Sequence, residues 1–495
     1  MQTVGAQWLL VGLPNAATLV ALVQTADTLP DVLLAFPAGA LADAFDRRRL
    51  LIILQLVQVV IGTALTALTI SGHMNPPLLL AFTFALGGAS AMALPPYQAL
   101  IPELVPRDQL AAASALGGIS INLARAVGPA IAGLLIARVG VGAVFALNTA
   151  TFLVLIAVLL VWRRPIEAAA QEPEQFLPAL RAGARYVKYS PVVRRILLRL
   201  ALFVVPATAV WALLPLVAKQ LLGLGAGGYG LLLGALGGGA VAGALALPRV
   251  TARLSANRML TVASIAYAVA MGVLVLTRHP VVAFLILIPA GAAWVVVIAN
   301  VNAMVQLFLP GWVRGRGLAA YQIVLFGSQA AAALAWGLLA SRSGLVTTFL
   351  LAAGVLLAGA ATIIRWPLHD VRGLNRDATR PWPEPTLGID PDPDTGPVLV
   401  TSTYTVAANV EERFLEAMRA VRLSRLQTGA IRWELYRDGA VPNRFVEAYT
   451  VPSWEEHLRQ HHGRLTGTDV AIEQEADRLS DPPPQVAHFF PAVPI

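Results

Sequence analysis

Three ionisable residues lie well inside long apolar runs of the sequence, where an insertion scale puts the cost of a charge at about 2.5–3.5 kcal/mol. Asp27 and Asp31 fall in the run over residues 16–41, and Arg125 falls in the run over residues 111–137. On a helix, Gln24, Asp27 and Asp31 share one face. Two carboxylates one turn apart repel each other, so at least one is expected to carry a proton that it can exchange.

This spacing predicts a site for proton coupling or gating. Arg125 would pair with Asp27, with Asp31 or with the carbonyl end of a helix. Two alternatives stay open: the carboxylates can be hydrated and inert near the outer mouth, and Arg125 can form a purely structural ion pair or extend to the membrane surface.

The composition places these residues in a membrane protein. Of 495 residues, 57% are hydrophobic and 13% are charged, and the mean hydropathy is +0.68. A soluble fold of this length cannot cover so much apolar surface. The lack of cysteine excludes disulfides and thiolate chemistry, and neither Lys188 nor Lys219 stands in a phosphate-binding loop, which excludes an ATP-driven motor in this chain.

Eleven apolar runs are long enough to cross a bilayer, and a twelfth over residues 1–11 is half that length. They cover residues 16–41, 50–70, 77–94, 111–137, 141–162, 196–217, 227–247, 259–276, 280–304, 317–340 and 346–364. Seventeen Arg and Lys residues fall in the loops of one side and four in those of the other. This asymmetry predicts that the loop over 163–195 and the C-terminal region are cytoplasmic, in a multi-pass protein of the inner membrane.

Short repeats divide the spans into two halves. Gly-Ala-Leu-Ala occurs at residues 39–42 and 243–246, and Leu-Ala-Ala at 110–112 and 318–320. Parallel halves of six spans are a transporter architecture. The two predicted transmembrane halves cover residues 1–162 and 196–364, and an amphipathic loop over 163–195 joins them. A Pro/Asp-rich linker over 365–397 then leads to a soluble domain over 398–495.

Two motifs in the first half resemble those of the major facilitator superfamily. The first resembles its loop between the second and third spans and consists of Gly39, Asp43, Arg47, Arg48 and Arg49, although Ala44 and Asp46 depart from the pattern. The second is similar to its antiporter motif and consists of Gly128, Pro129 and Gly133. The resemblance implies that both act in conformational change. The basic residue usual in the fourth span is missing, and a charge cluster at a helix end can pair with a facing helix terminus.

Residues 101–107 and 122–125 resemble the transmembrane secretion effector branch, which includes the enterobactin exporter. That resemblance implies secondary export of small molecules. Residues 1–8 are similar to the middle of the first span of that branch, so we expect a truncated first helix and further residues upstream.

Uncharged polar and aromatic residues inside the spans are candidates for a substrate cavity. They are Gln24, Asn122, Asn148, Trp211, Trp294, Asn300, Gln306 and Gln322. The more common role of such amides is to hydrogen-bond helices together, and the tryptophans can equally face lipid. Glycines at 230, 234, 238, 239 and 243 predict a close helix–helix contact. A basic amphipathic helix around 176–188 is expected to lie on the inner leaflet.

The C-terminal region follows a βαββαβ order. Residues 398–406, 431–437, 444–451 and 485–490 read as strands, with helices after Asn409 and Ser453. This order predicts a ferredoxin-like α+β domain and resembles antibiotic biosynthesis monooxygenases. His457 and His461 have a spacing that can ligate a metal, but no H-E-x-x-H motif is present, so no metal, cofactor or catalytic residue is predicted.

The predicted protein is therefore an all-α polytopic membrane protein with an α+β ferredoxin-like tail. We expect it to export small amphipathic molecules in exchange for protons by alternating access, without enzymatic activity. Its expected partners are the lipid bilayer, a small-molecule substrate and protons, not nucleic acid, and the tail can mediate a dimer. The alternative is a membrane-tethered, cofactor-free monooxygenase or a ligand-sensing tail on a degenerate transporter.

Overall fold

The computed structural model describes residues 1–105, 109–162, 176–368, 374–379, 382, 385 and 387–492. The chain forms two compact units. The first comprises Met1–Ala170, Leu197–Val301 and Tyr321–Leu368, and the second comprises Gln171–Ile196, Asn302–Ala320 and His369–Ile495.

Helices cover every apolar run of the sequence. In the first half they are α1 (Gln2–Leu10), α2 (Ala16–Leu33), α3 (Ala35–Ala44), α4 (Arg47–Ile70), α5 (Pro76–Leu104), α6 (Leu110–Arg138) and α7 (Val141–Val161). Next come α8 (Phe176–Tyr189) and α9 (Pro191–Leu216), then α10 (Ala226–Arg253), α11 (Ala256–Leu276), α12 (Pro280–Phe308) and α13 (Arg314–Ala361). Within the described part of the chain, eight helices are long and apolar enough to cross a bilayer.

One predicted boundary differs from the helices. The run over 16–41 is divided at Leu34, because Pro37 in the first turn of α3 has no N–H to donate to the carbonyl of Leu33. The two runs over 317–340 and 346–364 both lie in α13, and the sharp break at Gly344 (φ 78°, ψ 166°) falls between them, as predicted. Only glycine adopts this backbone conformation readily, so Gly344 separates two spans without a loop.

Glycine contacts bring helices of the first unit close together, and the contact between α6 and α10 joins the two halves. A Cβ atom built on Gly133 of α6 would lie 2.7 Å from the Cα atom of Gly230 of α10. A Cβ atom on Gly243, further along α10, would lie 2.7 Å from the Cα atom of Ala292 on α12. The predicted close approach is confirmed at Gly230 and Gly243, and the backbones touch because no side chain separates them.

The C-terminal part of the second unit is the predicted α+β fold. Its strands are β1 (Val398–Thr405), β2 (Arg432–Arg437), β3 (Arg444–Val451) and β4 (Gln485–Phe489), all antiparallel in the order β2-β3-β1-β4. Its helices are α14 (Glu411–Thr428), α15 (Trp454–Arg459) and α16 (Gly467–Asp477). The single helix expected after Ser453 is broken at Gly463 (φ 134°), and Thr466 starts α16 with a capping box that includes Asp469.

The amphipathic helix α8 is present, but its buried face is covered by protein within the second unit. Ala182 and Tyr186 are 1% and 2% exposed. The Tyr186 ring meets the Trp312 ring edge-on at 5.8 Å, and Gln427 of α14 donates to the carbonyl of Tyr189. This buried face is not the predicted lipid-facing side: Ala184 is exposed, Val187 is half-buried, and the side chains of residues 176–180 lie outside the described part of the chain, so the place of that side on lipid stays a prediction.

Candidate functional site

The predicted carboxylates lie on α2, half-buried in the first unit. The Thr3 hydroxyl of α1 is 3.4 Å from Oδ2 of Asp27 and donates to it. Asp31 is one turn further along α2, and Gln24 is half-buried one turn before Asp27. Thr3 is a partner that the sequence did not predict.

Helix α2 contacts helices from both halves of the membrane region. From the first half, Gly87 of α5 lies so close that a Cβ atom on it would be 2.8 Å from the carbonyl oxygen of Asp27. From the second half, the carbonyl of Ala330 on α13 accepts a hydrogen bond of 2.9 Å from the Thr25 hydroxyl. The two predicted carboxylates therefore lie on a helix at the boundary between the halves.

The pairing predicted for Arg125 lies outside the described residues. The backbone of α6 is described, but the side chains of Arg125, Asn122 and Asp43 are not. The roles of these three residues stay predictions.

The predicted charge cluster between α3 and α4 does reach a helix terminus. Arg48 donates from Nε to the carbonyl of Leu159 (2.6 Å) and from Nη2 to the carbonyl of Leu160 (3.0 Å), at the carboxyl end of α7. A guanidinium at this position satisfies carbonyls that have no helical partner and complements the helix dipole. Asp46, which stands where the superfamily pattern has glycine, accepts from the backbone N–H of Arg49 (2.8 Å) and caps α4.

The predicted antiporter motif lies on α6 where this helix contacts α10, and Pro129 lies inside α6 without ending it. A Cβ atom on Gly230 would lie 2.7 Å from the Pro129 carbonyl oxygen. Gly128 is also buried. Gly39 has open space where its Cβ atom would be, so close packing does not explain a glycine there.

The cavity candidates have different surroundings. Trp211 and Trp294 meet edge-on at 5.5 Å within an aromatic cluster that includes Phe203 and Tyr267. Asn300 is 8% exposed, and its Nδ2 has no hydrogen-bond partner among the described residues. Asn148 and Gln322 are half-buried in the first unit, whereas Gln306 is exposed and belongs to the second.

A buried polar contact joins α1 to α10. The Tyr229 hydroxyl donates to Oε1 of Gln7 at 2.6 Å, and the rings of Trp8 and Tyr229 stack at 5.8 Å. Gln7 is 3% exposed and also donates to the carbonyl of Trp211 at 3.4 Å. The short first helix is thus tied to the second half by hydrogen bonds inside an apolar environment.

The C-terminal domain buries one guanidinium between two carboxylates. Arg425 of α14 is 3.1 Å from Glu447 of β3 and 2.5 Å from Glu473 of α16. Trp433 and Trp382 donate from their indole nitrogens to Glu447 and Glu473 respectively, both at 2.8 Å. Burial raises the pKa of Glu473 to about 7. The neighbouring Glu447 carboxylate adds to this rise, and Arg425 opposes it.

Three histidines meet beside this ionic cluster. Nε2 of His457 on α15 is 2.9 Å from Nε2 of His488 on β4 and 3.2 Å from Nε2 of His461. His457 and His461 are 1% and 5% exposed. Burial, together with the neighbouring imidazoles, lowers the pKa of His457 to about 3, and burial also lowers that of His488. Trp454 is 6% exposed and packs against His457 and His488.

A family model described as transmembrane secretion effector matches residues 1–493. The chain belongs to this family. This match and the apolar helices together identify a multi-pass membrane protein of the major facilitator type.

Two curated relatives of this effector have more specific names. It is 24% identical over 218 residues to the staphyloferrin A transporter of Staphylococcus aureus, and the match covers 44% of this chain and 55% of the relative. It is 31% identical over 186 residues to the enterobactin exporter EntS of Shigella boydii, and the match covers 37% of this chain and 43% of the relative. The matched part thus spans about half the length of these relatives.

Solved transporters share the fold of this effector. A D-xylose–proton symporter superposes with a TM-score of 0.58 at 14% identity, over 75% of this chain and 96% of the symporter. The nucleoside transporter NupG gives a TM-score of 0.56 at 11% identity, over 74% of this chain and 96% of NupG. At such identities the likeness shows the fold alone.

The buried ionic cluster of the effector's C-terminal domain was missed by sequence reasoning, although β3 carries a signal for it. Inward positions on this strand alternate as Phe445, Glu447, Tyr449 and Val451, and all four are buried. A glutamate in an inward position needs a partner. The alternation could therefore have predicted a buried cation, but not that Arg425 supplies it.

Proposed function

We propose that this transmembrane secretion effector exports small amphipathic molecules across the inner membrane in exchange for protons, by alternating access, with its C-terminal domain in the cytoplasm. The observation that carries the proposal is the position of Asp27 and Asp31 on α2, a helix that contacts both halves of the membrane region. A carboxylate at such a boundary changes its surroundings whenever the halves move relative to each other. Proton binding and conformation are then linked, which is the requirement for coupling.

The hydrogen bond between Thr3 and Asp27 supports a specific role for that carboxylate. A hydroxyl that donates to Asp27 favours its ionised form, and loss of this contact in another conformation would favour protonation. Asp31 stands one turn away, so ionisation of either carboxylate disfavours ionisation of the other. We assign proton exchange to this pair and the gating role to Arg125.

The substrate class rests on the chemistry of the spans and on the relatives. Most residues of the spans are apolar, and Asn300 offers an Nδ2 donor that has no partner among the described residues. Because the two relatives are named for staphyloferrin A transport and enterobactin export, we propose export of compounds of siderophore or drug type. Asn148, Trp211, Trp294 and Gln322 remain candidates to line the cavity.

The cytoplasmic side follows from charge rather than from contacts. The basic loops include Arg47, Arg48 and Arg49 and the segment that leads into α9, and basic residues are retained on the cytoplasmic side of a membrane. The C-terminal domain follows an even number of crossings after that segment and is proposed to lie on the same side.

Transport in inside-out vesicles tests the proposal. With an imposed proton gradient, vesicles that contain the wild-type chain should accumulate ethidium or iron-free enterobactin. We expect Asp27→Asn and Asp31→Asn each to reduce this accumulation at least about tenfold, since an amide cannot exchange a proton. Asp390→Asn, the same change at an exposed position of the Pro/Asp-rich linker, is the matched control.

A second assay separates coupling from general damage. Exchange of labelled for unlabelled substrate at equal concentrations needs alternating access but no net proton movement, so both Asn variants should retain it. Normal uphill transport by both variants would remove the pair from the mechanism. Absence of transport of either compound by the wild-type chain would refute the proposed substrate class.

A further inference from the structure

The three histidines of the C-terminal domain converge through one nitrogen each. The Nε2–Nε2 separations are 2.9 Å (His457–His488) and 3.2 Å (His457–His461), and the three candidate ligand atoms all lie within 4.8 Å of one another. With metal–nitrogen bonds of about 2.0–2.1 Å, a tetrahedral ion holds its ligand atoms about 3.3–3.4 Å apart. The two short separations are close to this spacing.

Hydrogen bonds assign the tautomer of the central histidine. Nδ1 of His457 is 3.0 Å from Oε1 of Gln460, and the amide nitrogen of Gln460 donates to the hydroxyl of Thr428 at 3.3 Å. The Gln460 oxygen therefore faces His457 and can only accept, so Nδ1 carries the proton. Nε2 of His457 is left with a lone pair that points toward the other two imidazoles.

Hydrogen bonding among the imidazoles alone does not account for this arrangement. A neutral imidazole nitrogen has one in-plane lone pair, yet Nε2 of both His461 and His488 lie within hydrogen-bond distance of the same nitrogen of His457. A cation between the three nitrogens uses all three lone pairs at once. The Gln460 contact is also the kind of outer interaction that orients a metal-bound histidine.

The surroundings suit a bound ion. The ring of Trp382 stacks on His457 at 6.3 Å and meets His461 at 4.9 Å, and the ring of Trp454 lies 5.4 Å from His457 and 5.8 Å from His488. These indoles shield the imidazoles from water, and such a shell strengthens metal–ligand bonds.

We propose that His457, His461 and His488 bind one divalent transition-metal ion. Three imidazoles select ions of borderline softness such as Zn²⁺ rather than Mg²⁺ or Ca²⁺. Three protein ligands leave a fourth position for water or for a small molecule with a donor atom. The site lies outside the membrane helices and is independent of the proposed transport mechanism.

Zinc binding by the purified full-length chain tests the site. The chain is purified in detergent with a tag that contains no histidine, treated with a chelator, and titrated with Zn²⁺ in competition with a chromophoric chelator. We expect one Zn²⁺ per chain. His461→Gln and His488→Gln should each weaken binding at least about 100-fold, whereas His462→Gln, the same change at the adjacent exposed histidine, should leave it unchanged.

Two further measurements keep the result independent of folding. Hydrogen exchange over residues 454–464 should slow when Zn²⁺ is added to the wild-type chain, and Co²⁺ in place of Zn²⁺ should give the visible absorption of a tetrahedral, nitrogen-rich site. The proposal is overturned if the wild-type chain shows no saturable binding. It is also overturned if the folded His461→Gln and His488→Gln variants bind like wild type, or if His462→Gln loses as much affinity as they do.

Discussion

Glu473 provides a quantitative test of how the C-terminal domain tolerates its buried charges. Arg425, Glu447 and Glu473 are 7%, 0% and 8% exposed in their side chains, so one positive charge faces two negative charges away from water. Burial therefore raises the pKa of Glu473 from 4.5 to about 7. Glu473→Gln removes the negative charge and keeps an oxygen that can accept from both Arg425 and Trp382.

The pKa shift fixes the sign and size of the effect. Because the folded-state pKa lies above the unfolded value of 4.5, the contribution of Glu473 to stability is fully present below pH 4.5 and is lost as the pH rises through 7. At about 1.36 kcal/mol per pKa unit, the full loss is about 3 kcal/mol. Most of it, about 2–3 kcal/mol, falls between pH 5 and pH 8. Glu473→Gln should not show this loss.

Hydrogen exchange of the full-length chain in detergent measures the difference. Peptides that cover α16 are compared between wild type and Glu473→Gln at each pH, so that the intrinsic exchange rates cancel. The variant should gain protection relative to wild type as the pH rises from 5 to 8. Glu475→Gln is the control on the same helix, because Glu475 is about half exposed. Parallel pH profiles for wild type and Glu473→Gln would show that Arg425 keeps Glu473 ionised without cost, and would refute the reasoning.

Three other substitutions test contacts in both units. Arg48→Gln removes two hydrogen bonds to the carbonyl end of α7 and should lower stability in detergent by about 1–2 kcal/mol; an unchanged thermal midpoint would contradict this role. Gly230→Leu should prevent α6 and α10 from meeting and abolish the monodisperse peak in size-exclusion chromatography, whereas Gly238→Leu, with open space around its Cβ position, should preserve it. Trp312→Phe removes an indole donor to a backbone carbonyl (3.1 Å) and should speed hydrogen exchange over 454–464; equal rates would show that this bond contributes nothing.

The helical part of the fold could be predicted because a bilayer imposes length and polarity on each span. The apolar run over 141–162 became Val141–Val161, and the run over 259–276 lies inside Ala256–Leu276. Pattern reasoning failed where a helix breaks inside an apolar run. The run over 16–41 contains no polar loop, yet the structure divides it at Leu34. The break at Gly344, by contrast, follows the polar residues Ser341, Arg342 and Ser343, and the sequence predicted it.

The candidate sites depend on contacts between distant parts of the chain, and this limits prediction from sequence. Asp27 could be identified because a carboxylate in an apolar run is unusual, but its partner Thr3 could not. His457 and His461 are recognisable by their spacing in one helical segment. His488 lies on β4, and its proximity to them depends on the sheet register that pairs it with Val400. Periodicity predicts elements, and only the packed structure shows which side chains they bring together.

The contact of Gly133 with Gly230 has a mechanical consequence. Where two backbones already touch, the helices cannot come closer, but they can still turn about the point of contact. A rigid rotation of one half against the other that keeps this contact then has its axis near this point. Displacements on the two sides of the axis have opposite signs and grow in proportion to the distance from it. Two pairs of spin labels, one pair on each side of this contact, should therefore report one distance that lengthens and one that shortens. The ratio of the two changes is set by the distance of each pair from the contact.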